Sequence, residues 1–292
     1  YLSRGLGDVY KRQERVGLIG PNGAGKSTTI KMMCGILSPT AGSLTVSGRE
    51  PSRQRQAHVR DIGVVFGQRT QLWWDLAVIE AFDLLAAVFR VPVADYRARL
   101  ERFDAVLGIG ELLGKPVREL SLGQRMRCDI AAALLHAPPV LFLDEPTIGL
   151  DVAVKLRIRE FIRTVNEEQG TTIILTTHDL SDVEAVCDRV LLIDHGSLLF
   201  DGDIAALKSR LGGQRRLIIE LPAPPDSPAA LTAGLPAEAD LSGTRLTLAF
   251  AAEQTTAAAL IREILGRTEV VDLSVEEPDI DAVVARFYEG LG

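Results

Sequence analysis

Gly20, Pro21, Asn22, Gly23, Ala24, Gly25, Lys26, Ser27 and Thr28 fit the pattern GxxxxGK[ST]. The spacing suits a phosphate. Glycines let the backbone curl so that successive amides point into one concavity. Where such a turn runs into a helix, unpaired amides and the helix dipole add to the pull on an anion. Lys26 brings a point charge for the outer phosphates, and the Ser27 hydroxyl can ligate Mg2+. A glycine turn with a surface lysine is the bland alternative. The predicted strand Arg15–Ile19 before the turn and helix Ser27–Leu37 after it argue against that reading.

The other chemical half is Leu141-Phe142-Leu143-Asp144-Glu145, an apolar strand that ends in two acids. At the carboxyl edge of a parallel sheet, Asp144 is placed to hold Mg2+ through water. Glu145, one position on, could orient or deprotonate an attacking water. Alone, the pair could equally be an acidic turn capping the next helix.

Several further motifs, in order, resemble the ABC ATPase family. Leu120-Ser121-Leu122-Gly123-Gln124-Arg125 is similar to its LSGGQ signature. Pro146-Thr147-Ile148-Gly149-Leu150-Asp151 resembles its D-loop, and Thr176-Thr177-His178-Asp179 its switch histidine. Gln68 resembles its Q-loop glutamine, with Gln71 as the fallback, because Gly67 stands as an extra residue before Gln68. The resemblance covers roughly residues 14–212. It implies a P-loop NTPase cassette, a three-layer α/β domain with a helical subdomain over about 75–135.

By the same resemblance, two chains sandwich two ATP molecules head to tail. Ser121, Gly123 and Gln124 of one chain close over Gly20–Thr28 of the other. Glu145 activates water, His178 contacts the γ-phosphate, Gln68 senses Mg2+, and Asp151 acts across the interface. ATP and Mg2+ are the implied cofactors. A second cassette and an integral membrane permease are the implied partners, at the cytoplasmic face of the membrane. The tail resembles the C-terminal extension of subunits paired with ABC-2-type exporters, through Val270–Pro278 and Ile280–Tyr288.

Two departures stand out. Leu122 replaces the first signature glycine, a change expected to be tolerated. The family's adenine-stacking aromatic lies on a strand well upstream of the phosphate turn. Here 19 residues precede Gly20, and neither Tyr1 nor Tyr10 is suitably placed. The expectation is a missing first strand and weaker nucleotide binding, since stacking on a base is worth about 1–3 kcal/mol. Residues 1–13 lack any periodicity and read either as a foreign segment or as an irregular native start.

The elements that must position these groups are partly visible. A hairpin is expected from strands near Ser43–Ser47 and Asp61–Phe66. Helices should fill Val78–Glu119, broken at Pro92 and Gly108. Ser121 should cap a helix. Buried strands are read at Val140–Leu143 and Thr172–Thr176, flanking a helix Val152–Glu168 that stops at Gly170. A second hairpin is read around His195-Gly196. The adjacent Trp73 and Trp74 read first as core packing, and second as the wall of a groove for a partner's helix.

Composition narrows the class. Over residues 214–292 there are six arginines and no lysine against 13 acidic residues, so this tail accounts for the whole net charge of −7. The step near Gly212 marks a boundary, and residues 213–292 read as a small α+β domain. An acidic balance does not favour a nucleic-acid partner. This weakens the alternative of a soluble ABC ATPase acting on ribosomes or DNA. Intact Lys26, Asp144, Glu145 and His178 argue against a non-catalytic nucleotide-binding regulator. Cys34, Cys128 and Cys187 are far apart and odd in number, as for reduced, buried thiols. No apolar run reaches the ~18–20 residues that span a bilayer.

Overall fold

The structure is a computed structural model that describes residues 13–67, 69–210, 214–225, 227–251 and 254–276. Two compact units divide after Asp203. The charge step near Gly212 lies just past that division. Gln68, most of the segment 1–13 and the tail stretch Ile280–Tyr288 lie outside the described residues.

In chain order the first unit contains β1 (Arg15–Ile19), α1 (Lys26–Met33), α2 (Arg55–His58), β2 (Ile62–Phe66), α3 (Val78–Phe89) and α4 (Val93–Leu107). Then come α5 (Leu122–Leu134), β3 (Val140–Asp144), α6 (Val152–Gln169), β4 (Thr172–Thr176), α7 (Leu180–Val186), β5 (Arg189–Asp194) and β6 (Ser197–Gly202). The strands form one sheet in the order β2-β3-β4-β1-β5-β6. All neighbours are parallel except β5 and β6, which make the second expected hairpin.

Continuous apolar strands such as β3, whose Leu141, Phe142 and Leu143 are fully buried, need cover on both faces. On one face Ile30, Met33 and Cys34 pack with Phe142 and Ile174. Elsewhere in this unit α4 and α6 meet through Phe103 and Phe161, edge to face at 5.6 Å. The three cysteines are buried and unpaired.

Register builds the site. Phe66 pairs with Asp144, Asp144 with Thr176, and Thr176 with Leu18. The carboxyl ends of β2, β3, β4 and β1 are therefore level, and the residues that leave them meet at one edge.

The first expected hairpin is not formed. Residues 43–47 contribute only an isolated bridge, Val46 to Arg49, closed by Ser47 and Gly48 in left-handed conformations. β2 instead lies parallel to β3. Its run Ile-Gly-Val-Val-Phe is largely buried although β2 ends the sheet, and a place beside β3 under helical cover satisfies it better than a two-stranded ribbon would. Among the described residues no helix is long and apolar enough to cross a membrane.

The second unit contains α8 (Ile204–Arg210), β7 (Arg215–Glu220), α9 (Pro228–Thr232), β8 (Glu238–Ser242), β9 (Arg245–Phe250), α10 (Ala257–Leu265) and β10 (Asp272–Glu276). Its sheet is antiparallel, in the order β10-β7-β9-β8. Alternate residues Leu217, Ile219, Leu246, Leu248 and Phe250 turn to one face and pack with Leu260 and Ile264 of α10. This is the small α+β arrangement read from the tail.

Candidate functional site: a phosphate cradle at the sheet edge

The chain leaves β1 at Ile19 and turns through Gly20–Gly25 into α1. Gly25 sits at the helix N-cap with φ 106, a conformation that L side chains rarely adopt. No side chain caps α1, so its leading amides are left free for an anion. Pro21, Asn22, Gly23 and Thr28 are exposed, whereas Ala24 is buried and holds the Gly196 amide on its carbonyl at 2.9 Å. Lys26 is only 6% exposed, and its Nζ donates to the carbonyls of Gly20 (2.7 Å) and Pro21 (3.1 Å). Burial pushes its pKa below that of an ordinary lysine, against the pull of Glu145 and Asp144. The ammonium is thus held over the concavity by the loop's own oxygens.

Asp144, at the end of β3, faces this cradle. Its Oδ1 accepts from Ser27 Oγ at 3.1 Å and from Thr176 Oγ1 at 2.5 Å. Glu145 follows with φ 54. Its amide donates to Thr176 O at 2.9 Å, and its Oε2 lies 2.9 Å from Nδ1 of His178. A proton on Nδ1 makes that contact a hydrogen bond and leaves Nε2 of the half-exposed ring free.

Gly67 leaves β2 beside this pair, and its amide donates to Asp144 O at 2.7 Å. A Cβ at position 67 would lie 2.0 Å from the Glu145 carbonyl oxygen, so only glycine fits. The residue that looked like an insertion is a steric necessity. Gln71 is committed elsewhere, with its side chain donating to the Asp129 carbonyl at 2.8 Å and its amide to Asp129 Oδ1 at 3.0 Å.

A second cluster forms where α5 and α6 begin. Ser121 caps α5 in a reciprocal box with Gln124 (2.9 and 3.3 Å), as its position before the helix predicted. Asp151 caps α6 by accepting from the Val154 amide at 2.9 Å. Gly123 abuts Val154 and Leu150, and the substituted Leu122 lies against Gly149. Among the described residues, no hydrogen bond joins Ser121, Gly123, Gln124 or Asp151 to Lys26, Asp144, Glu145 or His178.

Three supporting groups were not foreseen from sequence. Thr176 orients Asp144. Asp182, 1% exposed on α7, accepts from Thr147 Oγ1, Thr177 Oγ1 (3.4 Å) and Arg159 Nε (2.6 Å). Lys155 of α6 pairs with Asp179 at 2.6 Å. Burial opposes the charge on Asp179, but Lys155 and Ser181 prevail and bring its pKa to about 2. These contacts hang the segment around His178 on α6. Trp73 and Trp74 are not core residues, being 43% and 49% exposed.

A family profile for ABC transporters matches residues 9–148. The ABC transporter ATP-binding protein NatA of Bacillus subtilis (strain 168) is 33% identical over 199 residues, which is 68% of this chain and 80% of that protein. This chain belongs to the ATP-binding proteins of ABC transporters. The linearmycin resistance ATP-binding protein LnrL of the same organism is 34% identical over 212 residues, covering 73% of this ABC protein and 68% of its own length. A solved dimeric structure of the ATP-binding cassette MJ0796, in a post-hydrolysis state with ADP and Pi, aligns at TM-score 0.60 and 26% identity. That alignment covers 66% of this chain and 87% of the other. The ABC protein described here binds ATP and is an ATPase coupled to transport.

Proposed function

We propose that this chain drives export as half of a head-to-tail pair of cassettes docked on a separate membrane subunit at the cytoplasmic face. The observation that carries this is the division of the site. Lys26, Ser27, Asp144, Glu145 and His178 converge at one sheet edge, while Ser121, Gly123, Gln124 and Asp151 gather at the joined starts of α5 and α6. One chain supplies a cradle and a lid, and its lid closes on the cradle of its partner.

In the loaded site the triphosphate displaces the Gly20 and Pro21 carbonyls from Lys26, which turns to the outer phosphates. Ser27 Oγ and Asp144 Oδ1, 3.1 Å apart, are hard oxygen donors of the kind Mg2+ accepts alongside water and phosphate. The ion would supply charge neutralisation there. Glu145 Oε2 takes a proton from the attacking water, and His178 steadies that carboxylate by donating from Nδ1; with a second proton on Nε2 the ring also donates to the γ-phosphate. Ser121 of the second chain presents its hydroxyl and the free amides of α5 from the opposite side. Catalysis of this kind is mainly positioning and electrostatic stabilisation. The exposed Trp73–Trp74 pair supports a docking surface for the membrane subunit, since half-buried aromatics make strong interface anchors.

Glu145→Gln keeps the shape of the site and removes its base. With MgATP that variant should run as a stable dimer in light scattering and hydrolyse ATP at a small fraction of the wild-type rate. Near-normal hydrolysis would refute the assignment. The soluble reading is tested by adding nucleic acid to the wild-type chain, which should leave its ATPase rate unchanged.

A further inference from the structure

Asp129 lies on α5, about two turns beyond Ser121, and is 3% exposed. A carboxylate buried in a helix is costly unless its oxygens are satisfied. Here the donors all come from one short segment. Thr70 Oγ1 donates to Asp129 Oδ1 at 2.8 Å and the Gln71 amide at 3.0 Å. The Gln71 side chain returns to the Asp129 carbonyl at 2.8 Å, and the Leu72 amide closes on Thr70 Oγ1 at 3.1 Å. Burial pushes the Asp129 pKa up to about 6 against those donors, which leaves it charged at neutral pH.

One turn earlier on the same face of α5, the Arg125 guanidinium lies 5.2 Å from the centre of the Trp74 ring. The Trp74 carbonyl accepts from the Arg118 amide at 3.1 Å, just before α5. The segment from Thr70 to Trp74 is therefore fastened to α5 and its approach. Its upstream neighbour Gly67 is fastened to Asp144. Apolar packing would hold this segment without fixing its register, whereas paired hydrogen bonds to its backbone and side chains are directional.

We propose that Asp129 is a positioning residue that ties Thr70–Trp74 to the helix bearing Ser121, so that movement of the Ser121 turn on nucleotide binding carries the exposed tryptophan pair with it. This rests on the two-chain reading of the ATP site given above. Coupling runs through contiguous hydrogen-bonded groups, and is reciprocal: a load on the tryptophans is felt at Ser121.

Backbone hydrogen exchange in the Glu145→Gln chain, with and without MgATP, tests this by following residues 119–126 and 69–76 separately. MgATP should slow exchange in both. Adding Asp129→Ala should leave the response of 119–126 intact and abolish that of 69–76. Asp129→Asn, whose Oδ1 can accept the same two hydrogens, should restore it, which a general loss of stability would not do. If Asp129→Ala does not fold, Thr70→Val removes a donor from the loop side and must also weaken the response of 69–76. The proposal is overturned if 69–76 ignores MgATP while 119–126 responds, or responds equally with Asp129→Ala. If 119–126 itself does not respond, the two-chain reading has failed and takes this inference with it.

Discussion

At the scale of single residues, the reactive groups were the most legible part of the chain. Lys26, Asp144 and Glu145 announce themselves because a phosphate cradle and an acidic strand end need particular side chains at fixed spacing. Gly67 and Thr176 were not legible, since what they supply is room and orientation, and both depend on strands brought level by register. Gly67 gives a sharp prediction. An added methyl would meet the Glu145 carbonyl at 2.0 Å, with backbone on both sides. Gly67→Ala should therefore shift Glu145 and lower ATP turnover by about tenfold to a hundredfold, the usual penalty for displacing a catalytic group by an ångström or so. Nucleotide affinity, which rests on Lys26 and the turn, should change little. Turnover and equilibrium binding measured on the same preparation separate the two.

At the scale of elements, strands with continuous apolar runs were read correctly and polar or irregular ones were not. β3, β4 and the β5–β6 hairpin carry continuous apolar runs. β8 reads Glu-Ala-Asp-Leu-Ser and is mostly exposed at a sheet edge, so nothing in its pattern marks it as a strand. Residues 43–47 have strand-like composition, but the partner they were assigned pairs elsewhere.

The packing of α3, α5 and β2 also predicts a pH dependence. His136, just after α5, stacks on Phe89 at 3.9 Å, and its Nε2 donates to Ile62 O at 3.0 Å. Burial pushes its pKa down to about 4, from 6.5. As pH falls below 6.5 the unfolded chain takes up this proton before the native chain does, so stability is lost on acidification towards 4. Asp129 acts in the opposite sense between 3.8 and about 6, because its raised carboxyl protonates first in the native state. The histidine effect is cleanest between pH 7 and 6. Denaturant unfolding over that interval should show a smaller fall for His136→Gln than for the wild-type chain.

At the scale of the whole molecule, the charge step near Gly212 falls inside the second unit, which begins at Ile204. What that unit does was not legible, because a core of aliphatic and aromatic side chains states only that it folds. On the two-chain proposal, the first unit holds one cradle and one lid turn, so activity is expected to depend on concentration. ATP hydrolysis per chain by the isolated protein should rise with protein concentration and level off once pairing is complete; a rate per chain constant under dilution would mean that a single copy suffices. The separation of the Ser121 turn from Lys26 within one chain also has a genetic outcome. A chain spoiled by Lys26→Ala still offers a sound turn, and one spoiled by Ser121→Ala still offers a sound cradle. Each is dead in its own homodimer, yet mixing the two rebuilds one working site per heterodimer, so two null alleles expressed together should complement each other.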